Sequence, residues 1–451
     1  FSNYGVICRQ RGLIDQAYNL YRKSIELYPK EPEAYTNLGN ILRDQGKLKE
    51  AEIYHRKAIK LRPNFAEAHS NLGTLLKDIG KLQEAEFSIR KAIEINPNYV
   101  DAYTNLGVIL KALGQGENAE LFIRKAVELQ PNNPNSHLNL AIVLLTCKKF
   151  IEGWQEYEWR WRMENYAIGI PHQTIKPEWS LGNRGRVLLW AEQGLGDELL
   201  FLSLVPDFID KVDKLILKID KRLIPLVNRT FHERIDVISN NELIDEDKYD
   251  FHIAMGTLPR FLRPNLSSFI TSKKLILKVN ESKSQELRSE IIDENFDKVV
   301  GISWKSNSKI NSRKSISLED FILGIYSPRI RFVSLQYGDV SNEINFVNKQ
   351  YGIEILEVNA VDKFNDIDNL AALIKACDEV VSVGNVNVHL SALLGFSSKI
   401  LVPNNNLFYL GINDDESYWY PSVKLYRQSK TGEWDDQLAK IKDEIRSKNS
   451  I

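Results

Sequence analysis

Glu33-Ala-Tyr-Thr-Asn-Leu-Gly39 returns as Glu67-Ala-His-Ser-Asn-Leu-Gly73 and then as Asp101-Ala-Tyr-Thr-Asn-Leu-Gly107, each block 34 residues after the one before. Three further sets of residues keep the same interval: Gly12, Gly46, Gly80 and Gly114; Ala17, Ala51, Ala85 and Ala119; and Pro29, Pro63, Pro97 and Pro131. A period of this length predicts stacked helix-turn-helix units. Within each unit we expect the glycine to end the first helix and the proline to end the second.

These landmarks resemble the tetratricopeptide repeat over roughly residues 1 to 165. Since one unit cannot bury its apolar face alone, the units are expected to stack into an α-solenoid whose first helices line the concave side. Phe1 enters the pattern partway along a first helix, whereas terminal repeats normally carry a polar cap. We therefore expect further repeats upstream of Phe1, in a number that the sequence does not give.

One asparagine keeps its place in every unit, while the residue three positions later drifts through Asn40, Thr74, Val108 and Ile142. A carboxamide carries both a donor and an acceptor, so it can pair with the backbone of an extended peptide whatever the side chains of that peptide. Duplication of a harmless surface residue is the alternative. The ladder resembles that of O-GlcNAc transferases, whose repeats grip protein substrates. We predict peptide binding by Asn37, Asn71, Asn105 and Asn139.

The composition is that of an ordinary globular protein. Of 451 residues, 43% are hydrophobic and 26% are charged, which leaves room for two or three domains. Lys plus Arg number 59 against 60 Asp plus Glu, so a basic stripe for nucleic acid is not expected. Three scattered cysteines exclude a disulfide framework and fit a reducing cytoplasm. No apolar stretch approaches the roughly 18 residues of a membrane helix, so we expect no membrane span.

The repeat pattern fades after the fourth unit. The next second helix, from Gly153 to Met163, gathers Trp154, Tyr157, Trp159 and Trp161, and aromatic clusters of this kind usually pack against a neighbouring domain. A stretch rich in glycine and proline follows. We place the repeat domain at residues 1–165 and a connector at residues 166–185.

Short apolar runs then alternate with helical stretches, which is typical of parallel sheets. Two series of predicted strands indicate two Rossmann-like halves, at residues 186–285 and 296–430, followed by a C-terminal helix at 431–451. The ligand is expected between the halves, where loops leave the carboxyl ends of the strands. The first series is 187–190, 214–219, 236–239, 251–254 and 275–279; the second is 299–304, 331–336, 354–358, 379–383 and 398–402.

The loop after the first strand reads Gln193-Gly194-Leu195-Gly196-Asp197 and leads into an apolar helix. It fails the dinucleotide fingerprint, because the third glycine position is Leu199. What remains is a glycine turn that brings Asp197 to the mouth of the predicted cleft. The plain alternative is that Asp197 only caps the following helix.

This region resembles the heptosyltransferase-type enzymes of the GT-B fold. The resemblance rests on Gly196-Asp197, on Pro206 in the following helix, on the run from Phe251 to Pro259, and on Trp419-Tyr420-Pro421. In that family the aspartate of the Gly-Asp pair is the general base, so the resemblance implies this role for Asp197, with Gly194 and Gly196 shaping the acceptor loop. A solenoid joined to such a transferase is similar to bacterial protein glycosyltransferases, including those that modify flagellins.

Two loops of the second half are candidates for binding the nucleotide-sugar donor. Lys305 and Arg313 follow the first strand of this half, where cations suit a departing phosphate, although a solvated charge run explains Arg313 equally well. Gln336, at the end of the next strand, is placed near the nucleotide by its position alone.

The other loop, Gly384-Asn385-Val386-Asn387-Val388-His389, opens a helix whose backbone amides can bind an anion. We therefore predict donor contacts from Asn385 and His389; a structural histidine is the alternative. Heptosyltransferases carry an aspartate that contacts the donor sugar where this chain has Gly384, so a heptose donor is not expected.

Two Asp-x-Asp segments, at 245–247 and 366–368, match a metal-binding pattern of other glycosyltransferases. Turn chemistry and helix capping explain them without a metal, and we predict no metal site. The chain contains neither a nucleophile elbow nor a phosphate-binding P-loop, which argues against a serine hydrolase and an ATPase.

Taken together, these patterns predict a cytoplasmic, inverting, metal-independent glycosyltransferase that uses a nucleotide-sugar co-substrate, needs no cofactor and acts on a protein hydroxyl. Two alternatives stay open: a transferase for lipid or polysaccharide whose repeats only dock a partner, and a catalytically silent scaffold. The sequence does not give the donor sugar, its nucleotide base, the acceptor or the oligomeric state.

Overall fold

The computed structural model describes residues 1–163, 171–292, 294–306, 315–403, 408–411, 415–428 and 432–447. Within these ranges no helix is both long and apolar enough to cross a membrane. The chain divides into two compact units, Phe1–Cys147 and Lys148–Ile451. Arg313 lies outside the described residues, and the domain boundaries given above remain predictions.

The first unit is a stack of helix pairs, which confirms the predicted α-solenoid. In each of the first four repeats, the first helix is followed by a glycine whose φ is positive, between 76° and 86°. These glycines are Gly12, Gly46, Gly80 and Gly114. The first helices are α1 (Ser2–Gln10), α3 (Pro32–Asp44), α5 (Ala66–Asp78), α7 (Val100–Ala112) and α9 (Pro134–Thr146). The second helices are α2 (Ile14–Leu27), α4 (Leu48–Leu61), α6 (Leu82–Ile95) and α8 (Gly116–Leu129).

Close approach within each pair explains the glycine that ends every repeated block. A Cβ added at Gly107 would lie 2.2 Å from Cγ1 of Ile123 and 2.9 Å from the backbone oxygen of Ala119. At Gly73 the corresponding distance to Cγ1 of Ile89 is 2.5 Å. Any larger residue would force the two helices apart, so the 34-residue spacing of these glycines follows from the packing of α5 on α6 and of α7 on α8.

His55 occupies the position that isoleucine holds in the next two repeats, at Ile89 and Ile123. Its side chain is fully buried, and no described group bonds either ring nitrogen. Burial, with a further contribution from the charge of Arg43, lowers the pKa of His55 to about 4. Between about pH 4 and pH 6.5, the His55 imidazole is therefore neutral in the folded repeat and protonated in the unfolded chain.

Replacing His55 with isoleucine is expected to stabilise the first unit, most strongly in acid. The folded-state pKa lies below the unfolded value of about 6.5, so wild-type stability falls as the pH drops from about 6.5 towards 4, by roughly 1.4 kcal/mol per pH unit. Thermal unfolding followed by far-UV circular dichroism at pH 7.5 and pH 5 measures this. Exposed His232, replaced with glutamine, is the control; an equal gain at both pH values would contradict the prediction.

The second unit contains two all-parallel sheets, as the sequence predicts. The first sheet has the strand order β3-β2-β1-β4, and the second has the order β10-β9-β8-β5-β6-β7. The first comprises β1 (Arg186–Trp190), β2 (Lys214–Ile219), β3 (Asp236–Ser239) and β4 (Phe251–Ala254). The second comprises β5 (Lys298–Ser303), β6 (Ile330–Ser334), β7 (Ile355–Leu356), β8 (Glu379–Val383), β9 (Ser398–Val402) and β10 (Val423–Arg427).

Helices connect the strands in this unit, so the α-solenoid is followed by an α/β region with two Rossmann-like halves. Before the first sheet comes α10 (Phe150–Tyr157). The first half contains α11 (Leu195–Leu202), α12 (Val205–Phe208), α13 (Ile224–Phe231), α14 (Pro259–Leu262) and α15 (Ser267–Ile270). Then follow α16 (Glu281–Ile291), α17 (Leu318–Ile325), α18 (Ser341–Tyr351), α19 (Ile367–Ala376), α20 (Val386–Leu393) and α21 (Asp435–Arg446).

One predicted strand is wrong. Residues 275–279 form no ladder; they are an extended segment in which Leu275, Leu277 and Val279 are buried in alternation. The amide of Leu277 donates to the carbonyl of Leu393 at 2.8 Å, and the amide of Lys278 donates to Thr230 Oγ1 at 3.0 Å. The side chains of this segment are buried with the period of a strand, but its backbone amides bond one residue of each Rossmann-like half and not a neighbouring strand.

A candidate active site where the loops of both sheets meet

The switch point of the first sheet lies at β1, which has β2 on one side and β4 on the other. The chain leaves β1 through residues 191–194 and enters α11, whose N-cap is Gly194. Asp197 is the third residue of α11, so Gly194 and not Asp197 occupies the N-cap position. The carboxylate of Asp197 is half-buried and lies in the first helical turn.

A buried ion-pair network holds the loop that precedes Asp197. Glu192 accepts from the amide of Gly256 at 3.0 Å and from Arg160 Nη2 at 3.2 Å. Arg160 also donates to Glu158 at 2.6 Å and to Thr257 Oγ1 at 2.8 Å. Burial raises the pKa of Glu192, while the charge of Arg160 opposes that shift. The loops after β1 and β4 are thereby joined to the segment that follows α10.

His389 lies next to the acceptor loop from the opposite half. A Cβ added at Gly196 would lie 3.6 Å from Cδ2 of the His389 ring. Both ring nitrogens bond tyrosine hydroxyls, Nδ1 with Tyr420 at 2.9 Å and Nε2 with Tyr409 at 3.2 Å. Burial raises the pKa of both tyrosines, and the negative charge of Asp197 adds to each shift. The structure thus brings Gly196 and His389 together with Tyr409, which no sequence pattern indicated, and with Tyr420 of the Trp419-Tyr420-Pro421 segment.

Glu198, the residue after Asp197, faces the other way. Its oxygens accept from the amide of Asp220 at 2.9 Å and from Asn240 Nδ2 at 3.4 Å, at the ends of β2 and β3. Burial raises the pKa of Glu198 to about 7. This carboxyl group therefore supports the neighbouring strand ends, and Asp197 is the acidic residue of this turn that lies beside His389.

The switch point of the second sheet lies at β5, between β6 and β8. Gln336 is almost fully buried there, and its Oε1 accepts from Ser303 Oγ, the amide of Trp304 and the amide of Lys305, at 2.9 to 3.0 Å. These bonds support a positioning role for Gln336. Its predicted contact with a nucleotide remains a prediction.

Asn385 joins the same loops from β8. Its Oδ1 accepts from the amide of Asn387 and so caps α20, while its Nδ2 donates to Ser303 Oγ at 2.7 Å and to the carbonyl of Lys305 at 3.1 Å. The positive end of the α20 dipole therefore lies beside the loop after β5. Lys305 Nζ forms an ion pair with Glu343, which also accepts from Trp304 Nε1 at 3.0 Å. Lys305, Gln336 and Asn385 thus form a second group, at the end of β5.

The two halves are tied together by contacts on both sides of this region. Trp419 Nε1 donates to Ser203 Oγ at 2.9 Å, and Arg229 pairs with Asp368 at 2.6 and 2.7 Å. Asp368 belongs to one of the two Asp-x-Asp segments, and Asp366 in that segment caps α19 through the amide of Asn369. Capping and an ion pair therefore account for this segment, as its turn composition suggested.

The conserved spacing of the asparagines corresponds to one row on the first helices of the solenoid. Asn37, Asn71, Asn105 and Asn139 are each half-buried. Asn139 Nδ2 donates to the carbonyl of Asn135 at 2.9 Å. Within the described ranges, no hydrogen bond is recorded for the side-chain amides of Asn37, Asn71 and Asn105.

Comparison with known proteins identifies the repeats. Residues 35–157 match the family described as the cilia and flagella-associated protein 70 middle TPR-like domain, and residues 1–64 match a tetratricopeptide repeat family. These matches confirm tetratricopeptide repeats in the first unit.

One curated relative extends beyond the repeats. Protein FlbA of Caulobacter vibrioides is 28% identical over 325 residues, covering 67% of this chain and 53% of FlbA, so the chain spans about half the length of that relative. Two solved structures each cover about a third of this chain. MamA of Desulfovibrio magneticus is 24% identical, with a TM-score of 0.30 over 35% of this chain and 87% of MamA. PilF of Pseudomonas aeruginosa is 24% identical, with a TM-score of 0.33 over 35% of this chain and 72% of PilF.

Proposed function

We propose that the second unit is an inverting, metal-independent glycosyltransferase of the GT-B type, and that the asparagine row of the first unit binds its protein acceptor. The observation that carries the proposal is that Gly196, the residue before Asp197, lies beside His389, where a loop of one Rossmann-like half meets a loop of the other. Ligands of open parallel sheets bind outside the carboxyl ends of the strands, at the switch points, and both groups of residues lie there.

In the proposed reaction the acceptor hydroxyl oxygen attacks the anomeric carbon of the donor as Asp197 takes its proton. The bond between that carbon and the phosphate oxygen breaks, and the nucleotide leaves with the electron pair. Attack from the face opposite the leaving group inverts the anomeric centre. Lys305 and the N-terminal end of α20 offset the charge that grows on the leaving phosphate. Arg313, outside the described residues, is proposed as a further cation for this group.

Within this proposal Asn385 organises the donor side of the site, and His389 supports the acceptor loop. Asn385 holds the loop of Lys305 against α20, and His389 stands between two tyrosine hydroxyls beside the acceptor loop. The sequence analysis gave His389 a phosphate contact; because both of its ring nitrogens already bond tyrosines, a phosphate would have to displace one of them. We therefore propose that His389 supports the position of Gly196 and Asp197.

A screen of nucleotide-sugars tests the donor side directly. The intact chain is heated with UDP-, GDP-, CMP- and ADP-sugars, and an unfolding transition is followed by tryptophan fluorescence, because all eight tryptophans lie in the second unit. A donor present at about 100 times its dissociation constant stabilises by roughly 2.7 kcal/mol. Stabilisation by one sugar class, followed by release of its nucleotide in the presence of acceptor protein, supports the proposal. A transition that no donor moves argues for the silent scaffold.

The asparagine row makes a separate prediction. Replacing Asn71 and Asn105 together with alanine should weaken transfer to a protein acceptor roughly tenfold or more, since each lost pair of peptide hydrogen bonds contributes about 1 kcal/mol. Hydrolysis of the donor in the absence of acceptor should be unchanged. Both rates are measured by nucleotide release.

Exposed Asn118, on the second helix α8, provides the matched control when it is replaced with alanine. Equal transfer by the wild type and the double variant would remove the peptide-binding role. It would favour a lipid or polysaccharide acceptor instead, with the repeats serving to dock a partner.

A further inference from the structure

The third helix pair lacks an aromatic contact that its neighbours have. In the second repeat Tyr35 and Tyr54 pack with ring centroids 6.1 Å apart, and in the fourth Tyr103 and Phe122 pack at 6.3 Å. The equivalent residues of the intervening repeat, 34 positions away, are His69 and Ser88. Ser88 Oγ donates to the backbone carbonyl of His69 at 2.9 Å, so a hydroxyl group stands where the flanking repeats have a tyrosine or phenylalanine ring.

The missing rings leave an apolar groove at this point of the solenoid. It has a volume of about 600 Å³, within the range of roughly 300–1,000 Å³ that is typical of small-molecule sites. Its apolar wall comprises Ile59, Leu72, Leu76 and Phe87. The Phe87 ring is 76% exposed to solvent, and an exposed apolar surface of this kind can mark an interaction site.

The adjacent repeat shows what fits such a groove. There Ile93 and Phe122 belong to one apolar cluster, and the guanidinium of Arg90 lies 5.2 Å from the centre of the Phe122 ring. Ile59 and Arg56 occupy the equivalent positions in the groove, but Ser88 offers Arg56 no ring. An aromatic side chain entering here would find the same aliphatic wall and the same cation that the chain supplies to its own Phe122.

The charge at the rim adds a second preference. Arg56 pairs with Glu52 at 2.7 Å and more loosely with Glu84 at 3.4 Å. Lys60 also lines the groove, and within the described ranges no carboxylate pairs with its ammonium group. A carboxylate beside the entering ring would complement Lys60.

We propose that this groove docks a partner protein through one aromatic side chain that is followed by an acidic residue. The site is formed by α4, α5 and α6 and differs from the asparagine row, so it does not depend on the proposed transferase activity. It would give the solenoid a second recognition surface, in which one guest ring takes the place of the aromatic pair that the third repeat lacks.

The test uses the full chain with labelled isoleucine and leucine methyl groups and the blocked dipeptide acetyl-Trp-Asp-amide. Saturable shifts are expected at Ile59, Leu72 and Leu76, with a dissociation constant in the millimolar range, as befits so small a probe. The variant His69→Tyr/Ser88→Phe rebuilds the aromatic pair of the flanking repeats and should bind at least tenfold more weakly. Because that pair already packs in two neighbouring repeats, this variant is expected to fold.

A matched pair of truncations guards against nonspecific binding. Phe87→Ala should weaken binding of the probe, whereas Leu121→Ala, 34 residues later and 64% exposed, should not. Lys60→Gln should remove the preference for acetyl-Trp-Asp-amide over acetyl-Trp-Lys-amide. The proposal is overturned if acetyl-Ala-Asp-amide shifts the same methyl groups equally, if the filled variant binds like the wild type, or if Phe87→Ala dissociates a homodimer, since the occupant would then be a second copy.

Discussion

Replacing Asp197 with asparagine is expected to lower sugar transfer by roughly 10²- to 10⁴-fold, the range that general-base assistance supplies. Asparagine keeps the size and the polarity of the side chain but does not accept the proton of the acceptor hydroxyl. Donor affinity should change little, because the donor side of the proposed site consists of the loops after β5 and β8. The rate is measured as nucleotide release under single turnover, and donor binding is measured by the shift of the tryptophan-fluorescence transition.

Two variants separate this effect from loss of structure. Asp213, exposed in the same half and paired with Arg184, is replaced with asparagine as the control and should leave transfer unchanged. Glu198 is the acidic neighbour of Asp197, with its pKa raised to about 7 by burial. Glu198→Gln should retain transfer, because its oxygens bond the ends of β2 and β3. A large rate loss in Glu198→Gln with none in Asp197→Asn would exchange the two roles and refute the mechanism proposed here.

The same experiment decides between the transferase and its alternatives. A silent scaffold predicts that neither the wild type nor Asp197→Asn releases nucleotide from any donor. A transferase for lipid or polysaccharide predicts that Asp197→Asn loses activity while the Asn71/Asn105 variant keeps it. The glycine at position 384, where heptosyltransferases carry an aspartate, is the main sequence feature in favour of the silent scaffold.

The solenoid was predictable because its physical requirement is local and repeated. Gly73 and Gly107 are required because the two helices of a repeat touch at Ile89 and Ile123. The glycine after each first helix is required because its φ is positive. Both kinds of glycine therefore recur every 34 residues. The parallel strands were predictable for a similar reason, since strands covered on both faces show continuous apolar runs. Residues 275–279 mislead because alternating burial alone does not reveal whether a neighbouring strand is present. The last strand, β10, was missed; its buried residues are Val423, Leu425 and Tyr426, a pattern that does not alternate strictly.

The candidate site was only partly predictable, because its contacts join distant parts of the chain. Gly196 and Asp197 follow from the loop that opens α11, and Asn385 follows from its place before α20. Tyr409 has no local sequence signal, and Tyr420 was noted only as part of the Trp419-Tyr420-Pro421 segment. Their bonds to the two ring nitrogens of His389 depend on the fold. Gln336 was correctly placed at the end of its strand, but its burial beneath three donors depends on how β5 and β6 pair.

Arg160 is another residue whose contacts join distant parts of the chain and could not be predicted from the sequence. In sequence it is one basic residue in an aromatic helix, and the periodicity of the repeats says nothing about it. In the structure its side chain is fully buried and bonds Glu192, Glu158 and Thr257. Its removal leaves Glu192, 1% exposed, without its cationic partner immediately before the acceptor loop.

Replacing Arg160 with methionine is therefore expected to destabilise the second unit by about 3–5 kcal/mol, the usual effect of removing one partner from a buried ion pair. Tryptophan fluorescence in a urea titration reports this, because the first unit contains no tryptophan. Arg184→Met, which removes an exposed partner of Asp213, should cost far less. Adding Glu192→Gln to Arg160→Met should restore part of the lost stability, since the two changes act on one contact and are not additive. If the double variant loses the sum of the two single effects, Arg160 and Glu192 are not coupled, and the bonds of this loop to Gly256, Tyr157 and Lys218 hold it without the ion pair.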